Sequence, residues 1–214
     1  MDIGKTLSTE LLEELKSNPS KSAPYHNTVH MVKVCDIACW ILTREKQHVT
    51  DVAVPEEWIG PVLVIAASLH DWGHSAGKTT DDVNVTVARE HAKAFMDKSV
   101  IEFPDCVYKA VDSAIFCTQF PFVNPPKNHL EKILRDADLL YTTMSGDPAI
   151  VLEALRSEMQ VALGRNIGYN EMCTGQRVFL SNAELFTQAG KRTWAVEAEK
   201  FFDAMLDYVT DREA

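Results

Sequence analysis

Residues 56–74 read EEWIGPVLVIAASLHDWGH, and the change of character along this stretch decides the fold. After Pro61 the side chains are apolar nearly all round, so a helix over about Glu56–His70 is expected to be central and buried on every side. The stretch then arrives at His70 and Asp71. A charged carboxylate at the end of the most apolar helix is costly unless a cation or hydrogen bonds compensate it, so this pair points to a metal ion.

Working outward, apolar residues recur at helical spacing almost throughout, and alternating stretches of Val, Ile and Thr are nearly absent. The fold class read from this is all-α, a helical bundle with the metal site between its central helices. A first helix is expected to start near Ser8 with Glu10 in its first turn. A second spans about Asn27–Arg44 with Val34, Ile37 and Ile41 on one stripe, and Asp81 or Asp82 caps another that runs through Met96. Pro104 can occupy the first turn of a helix through Phe116, and another spans about His129–Thr142. Asp147-Pro148 reads as the cap and first turn of a helix that stops near Gly164, Ser181-x-x-Glu184 resembles a capping box, and the last long helix is about Thr193–Asp211.

The whole chain fits a single soluble domain. It has 214 residues, 46% of them hydrophobic and 24% charged, with no repeat and no low-complexity segment to mark a boundary. With 21 Lys plus Arg against 31 Asp plus Glu, the formal charge is -10, which disfavours nucleic acid as a partner and means that an anionic substrate needs a local positive centre. The longest apolar run, near Val62–Leu69, is far shorter than the roughly 20 residues of a membrane span. The N-terminus is amphipathic rather than a basic-then-apolar signal, so a cytoplasmic protein without membrane association is expected. Five cysteines without a C-x-x-C pair argue against a disulfide framework and a zinc knuckle; Cys35 and Cys39, one helical turn apart, read as small buried hydrophobes.

Five of the seven histidines, His26, His30, His70, His74 and His91, fall between positions 26 and 91. His26 and His30 are four apart and project from one face of a helix or its first turn. His70 with Asp71 is half a ligand set for a hard or borderline divalent ion; His30 can add to it, and so can Asp136 or Asp138 in ILRDADLL. Periodicity does not choose between those aspartates, which lie at similar angles from the Leu130, Leu134, Ala137 and Tyr141 stripe. His91, in an amphipathic helix with Val87 and Phe95, could line the site or complete a second metal site. Lys78, Thr118, Gln176 and Arg177 read as solvated or structural, and His48, Glu90 and His129 as surface residues.

Tyr25-His26-Asn27-x-x-His30, then Leu69-His70-Asp71-x-x-His74-x-x-Gly77, then Ala137-Asp138-Leu139, in this order and on helices, resemble the HD superfamily of metal-dependent phosphohydrolases. The first two fragments are particularly similar to the catalytic core of cyclic-nucleotide phosphodiesterases. The resemblance implies a motif core over residues 25–139, with C-terminal helices over 147–212 packing on it. It makes His30, His70, Asp71 and Asp138 the ligands of a divalent ion (Mn, Mg, Co, Fe, Ni or Zn), with one or two ions per chain. It also makes His26 the proton donor to the leaving oxygen and puts His74 behind the ligands, near a second ion bridged by Asp71. Asn27 and Tyr25 would orient the loop. The activity implied is hydrolysis of a phosphate ester, of a nucleotide or cyclic nucleotide, by attack of metal-bound hydroxide, and the partner implied is a small phosphorylated substrate.

The chain has Ser75 where such phosphodiesterases have Pro, which leaves nucleotidases as an alternative substrate class. A di-iron oxygenase of the same fold would need two further histidines. His91 could be one, but Ile115-Phe116-Cys117-Thr118 offers no second. A non-catalytic HD binding module is the third reading, and the presence of all four ligand residues counts against it. The final helix, with Trp194, Phe201, Phe202 and Met205, is expected to pack on the chain's own core, the other placement being a homodimer contact.

Overall fold

A computed structural model describes residues 2–144 and 146–213, with the side chains of residues 211 and 213 outside the description. Among the described residues there are nine α-helices, one short 3-10 turn at Lys46–His48 and no strand. The helices are α1 Ile3–Lys16, α2 Thr28–Glu45, α3 Glu56–Leu69, α4 Asp81–Lys98, α5 Asp105–Phe116, α6 His129–Met144, α7 Pro148–Leu163, α8 Tyr169–Ser181 and α9 Gln188–Glu213. This all-helical architecture is the one expected from periodicity.

The apolar stretch is α3, and it is central. Val62, Leu63, Ile65, Ala66, Ala67 and Leu69 have no exposed surface, and α3 packs on α1, α2, α4, α5 and α6. Burying a large aliphatic side chain contributes about 1.5–3 kcal/mol, so this helix anchors the larger core. The second helix of that core, α2, lies antiparallel to α6: His30 near its start meets Asp138, while Glu45 at its end meets His129 at 3.3 Å. A smaller core is formed by Val151, Leu152, Met172, Leu180, Phe201, Met205 and Tyr208 of α7, α8 and α9, together with Tyr25. Phe201 and Met205 of the last helix are thus buried within their own chain.

Two buried carboxylates join these cores at the start of α9. Asp136 accepts hydrogen bonds from the Phe186 and Thr187 backbone N–H groups (2.9 and 2.8 Å) and from Thr187 Oγ1 (2.7 Å). Glu45 accepts one from the Ala189 N–H at 2.7 Å. Carboxylates at a helix N-terminus satisfy orphan donors and complement the helix dipole.

Several boundaries differ from the sequence reading. The first helix starts at Ile3, because Asp2 accepts a hydrogen bond from the Lys5 N–H and extends the Leu7, Leu11 and Leu15 stripe backwards. Thr80 occupies the cap of α4, with Asp81 and Asp82 in its first turn, and Pro104 takes the cap position of α5. Ser181 ends α8 rather than opening a helix, so the capping box does not form. The sequence reading did not anticipate α8, whose buried Met172, Cys173, Gln176 and Leu180 make only a narrow apolar stripe. The last helix begins at Gln188, extended by the two carboxylates that receive it.

Candidate metal centre

Three helices bring the first cluster together. The Asn27 side chain caps α2, its Oδ1 accepting the Val29 and His30 N–H groups at 2.8 and 3.1 Å, and its Nδ2 donates to Ala23 and Pro24 carbonyls. His30 therefore sits in a fixed first turn. His70 ends α3, where the Ala67 carbonyl, 2.8 Å from Nδ1, accepts the Nδ1 proton. That bond fixes the tautomer and leaves the Nε2 lone pair facing the site.

His30 Nε2 lies 3.2 Å from His70 Nε2. Asp71 Oδ2 approaches these two nitrogens at 2.9 and 3.1 Å, and Asp138 Oδ1 approaches them at 3.3 and 3.6 Å. Atoms about 2.0–2.2 Å from one ion stand roughly 2.8–3.6 Å apart at bond angles near 90–110°, so the spacing fits a shared cation. His30, His70 and Asp138 form the compact set, with all three ligand atoms within 4.8 Å of one another. Asp71 adds to it through its approach to both imidazoles. Buried Asp71 Oδ2 is within ion-pair distance of both rings yet receives no properly directed hydrogen bond, as expected of a lone pair aimed at an ion. His30 Nδ1 is also buried without a hydrogen-bond partner.

The electrostatics agree. Burial works against a charged imidazole, but Asp71 and Asp138 overcome it and hold the pKa of His70 well above its ordinary value and that of His30 above it. In return, burial raises the two carboxyls but the histidines overcome it, so Asp71 and Asp138 stay well below the carboxylate range. A field that holds extra protons this strongly also favours a divalent cation.

A second cluster adjoins the first. His26 and His74 lie ring against ring, centroids 3.8 Å apart, and the His26 ring is 5.6 Å from that of His30. Between them and α7 stands Glu158, buried in the protein. Its Oε1 accepts the Tyr25 and His26 backbone N–H groups at 2.7 and 3.0 Å, and its Oε2 is 2.5 Å from His26 Nδ1. Burial would raise its pKa, but His26 and these hydrogen bonds lower it, so Glu158 is a carboxylate. It holds the Nδ1 proton of His26 and leaves Nε2 to give or take a proton. His74 Nδ1 accepts the Ala76 N–H at 3.2 Å, and its Nε2 faces Asp81 at 3.8 Å. His26, His74 and Glu158 also form a group compact enough for a cation. A 380 Å³ cavity lined in part by His74, Lys78, Ser157 and Glu158 opens behind this cluster.

The remaining candidates lie elsewhere. Asp136 faces α9, where burial pushes its carboxyl up to about 6 against its three hydrogen bonds, so α6 sends Asp138 to the imidazoles. His91 stacks flat on Trp72 at 3.8 Å with its Nε2 2.9 Å from Glu14 on α1, outside both clusters. His129 packs on Glu45 rather than standing in solvent, which corrects its reading as a surface residue. Gln176 is buried in α8, and Thr118 donates to the Ile115 carbonyl. Glu158 escaped the sequence reading; its signal is a carboxylate in register with Val151 and Leu155 on the apolar stripe of α7. Gly77 lets α7 approach: its φ is +89°, and a Cβ there would collide with the Glu158 carbonyl oxygen.

No family model and no curated protein matches the chain. Among solved structures, the phosphodiesterase domain of the RhoPDE fusion protein from the choanoflagellate Salpingoeca rosetta superposes with a TM-score of 0.64. The alignment covers 97% of this chain and 81% of that one, at 15% sequence identity. The fold is that of a phosphodiesterase domain. In this phosphodiesterase-like bundle the two His and carboxylate clusters lie side by side, at the meeting point of α2, α3, α6 and α7.

Proposed function

We propose that the chain is a metal-dependent phosphohydrolase of the HD type that hydrolyses a phosphate ester, most plainly of a nucleotide or cyclic nucleotide. The observation that carries this reading is the compact grouping of His30 Nε2, His70 Nε2 and Asp138 Oδ1, with Asp71 Oδ2 2.9 and 3.1 Å from the two imidazole nitrogens, beside the His26 and Glu158 pair. When bound by these four residues, a divalent cation supplies a water of lowered pKa and neutralises charge on the phosphoryl oxygens.

The chain's own residues do the rest. His26 donates a proton from Nε2 to the leaving oxygen, and Glu158, bonded to Nδ1, fixes the ring's tautomer and orientation. His74 packs against the His26 ring and limits its rotation. Phe120, Phe122 and Phe179 form an aromatic group near this machinery, with ring centroids 5.6–6.1 Å apart. The Phe120 N–H donates to Asp81 Oδ2 at 2.6 Å, and Asp81 faces His74. Such rings favour a planar base on the substrate.

The full chain, residues 1–214, acts as one domain, because Glu158 of the C-terminal helices completes the site built by the motif core. No described helix is long and apolar enough to cross a membrane. The reading is tested by assaying phosphomonoesters, nucleotides and cyclic nucleotides with Mn²⁺, Mg²⁺, Co²⁺ and Zn²⁺. At least one metal should support turnover, and His26→Ala should retain metal and lose about 10²–10⁴-fold in kcat. Full turnover in the variant would remove His26 from the mechanism, and oxygen-dependent consumption of substrate by an iron form would replace hydrolysis with oxidation.

A further inference from the structure

Arg135 stands on α6 one turn before Asp138, and it is buried. Burying a cation is costly unless its donors are met. Here they are met by two backbone carbonyls and a ring. Its Nη1 donates to the Cys117 carbonyl and lies 3.5 Å from the Asn124 carbonyl oxygen. The guanidinium carbon lies 3.4 Å from the centre of the Phe122 ring, while Nε is buried without a hydrogen-bond partner among the described residues. Cys117 and Asn124 bound the segment that carries Phe120 and Phe122. We infer that Arg135 is a positioning residue for the substrate's base, fixing segment 117–124 and the Phe122 ring from inside the fold, in register with Asp138.

Little apolar packing holds the outer part of this segment, where Phe120 and Val123 are both exposed. Polar contacts hold it instead. On the outside the Phe120 N–H donates to Asp81 Oδ2 at 2.6 Å, and Asn124 Nδ2 donates to the Phe116 carbonyl and to Gln119 Oε1 at 3.4 and 3.2 Å. On the inside Arg135 ties both ends to α6. A planar guanidinium can stack on a ring and donate from the same fork, which the point charge of a lysine cannot do.

Residues three apart on a helix share a face, so one rigid element carries both Arg135 and Asp138. A base lying on the Phe120, Phe122 and Phe179 rings and a phosphate at the metal centre are thereby held at one separation, as orienting a substrate requires. This substrate role rests on the proposed hydrolysis of a nucleotide ester, whereas the hold on segment 117–124 does not.

The test compares the full-length protein, with Mn²⁺ present, with Arg135→Lys, Arg135→Gln and Phe122→Leu. In hydrogen exchange read by mass spectrometry, the bonded Thr118, Phe120 and Val123 amides should exchange about tenfold faster in both Arg135 variants, with α2 and α3 protected as in the wild type. In equilibrium dialysis those variants should bind adenosine 5′-monophosphate about tenfold more weakly and ribose 5-phosphate as the wild type does. Phe122→Leu should give a similar loss, and Arg135→Lys added to it should give little more. For a nucleotide ester that the wild type hydrolyses, KM should rise in step while kcat stays within about threefold. Wild-type behaviour of Arg135→Lys, unchanged exchange of segment 117–124, or equal losses for the two ligands would overturn the proposal. Equal wild-type affinity for the two ligands would contradict the base reading itself and with it the substrate role of Arg135, while the exchange data would still decide whether Arg135 holds the segment.

Discussion

Glu158 does two things with one carboxylate. It satisfies the Tyr25 and His26 N–H groups with one oxygen and sets the tautomer of His26 with the other. Glu158→Gln keeps the shape and one acceptor but turns an N–H toward His26 Nδ1. The expected outcome is a drop in kcat of about 10–100-fold, part of the range for general acid catalysis, with KM and bound metal unchanged in steady-state and metal assays. An unchanged kcat would show that His26 needs no orienting partner. The residues His26, His30, His70, Asp71 and His74 were legible in the sequence because each lies within a few positions of another on a helix turn. Glu158 lies 132 residues from His26, and only its place on an apolar stripe marked it.

Helix α6 carries two aspartates with opposite duties, Asp138 toward the imidazoles and Asp136 toward the start of α9. Periodicity could not separate them because the deciding fact is the arrival of α9, a contact 51 residues away for Thr187. The seam between α7 and the loop after His74 depends on Gly77. Gly77→Ala should destabilise the fold by more than about 2 kcal/mol in urea unfolding, through a positive φ and a collision with backbone. Retained wild-type stability would mean that α7 need not approach so closely. The stack of Trp72 on His91 makes a pH prediction. Burial lowers the His91 pKa although Glu14 opposes it, so folding favours the neutral ring. Its contribution is complete above the unfolded value of about 6.5 and is lost as pH falls through the lowered folded value. Between about pH 7 and 5 the wild type should lose stability relative to His91→Phe, by chemical denaturation at each pH. Parallel curves would show that folding leaves the titration of His91 unchanged.

Across the whole molecule, the all-helical class could be read from helical spacing along the chain, and the central place of α3 from residues 56–74, because a segment apolar on every face has only the interior to occupy. The joining of the two cores could not, since it depends on Glu45 and Asp136 receiving α9 from distant parts of the chain. With a formal charge of -10, the chain gathers its buried carboxylates where a cation or a helix N-terminus can meet them. The claim on which the function rests is that His30, His70, Asp71 and Asp138 hold a divalent ion. Its most direct measurement is thermal unfolding of the chelator-stripped protein with and without Mn²⁺, Mg²⁺, Co²⁺ or Zn²⁺, beside an Asp138→Ala variant. At 100 times Kd a ligand stabilises by about 2.7 kcal/mol, so at least one metal should raise the wild-type Tm by about 5–10 °C and leave Asp138→Ala unmoved. No rise with any of the four metals, or an equal rise in the variant, would contradict the account.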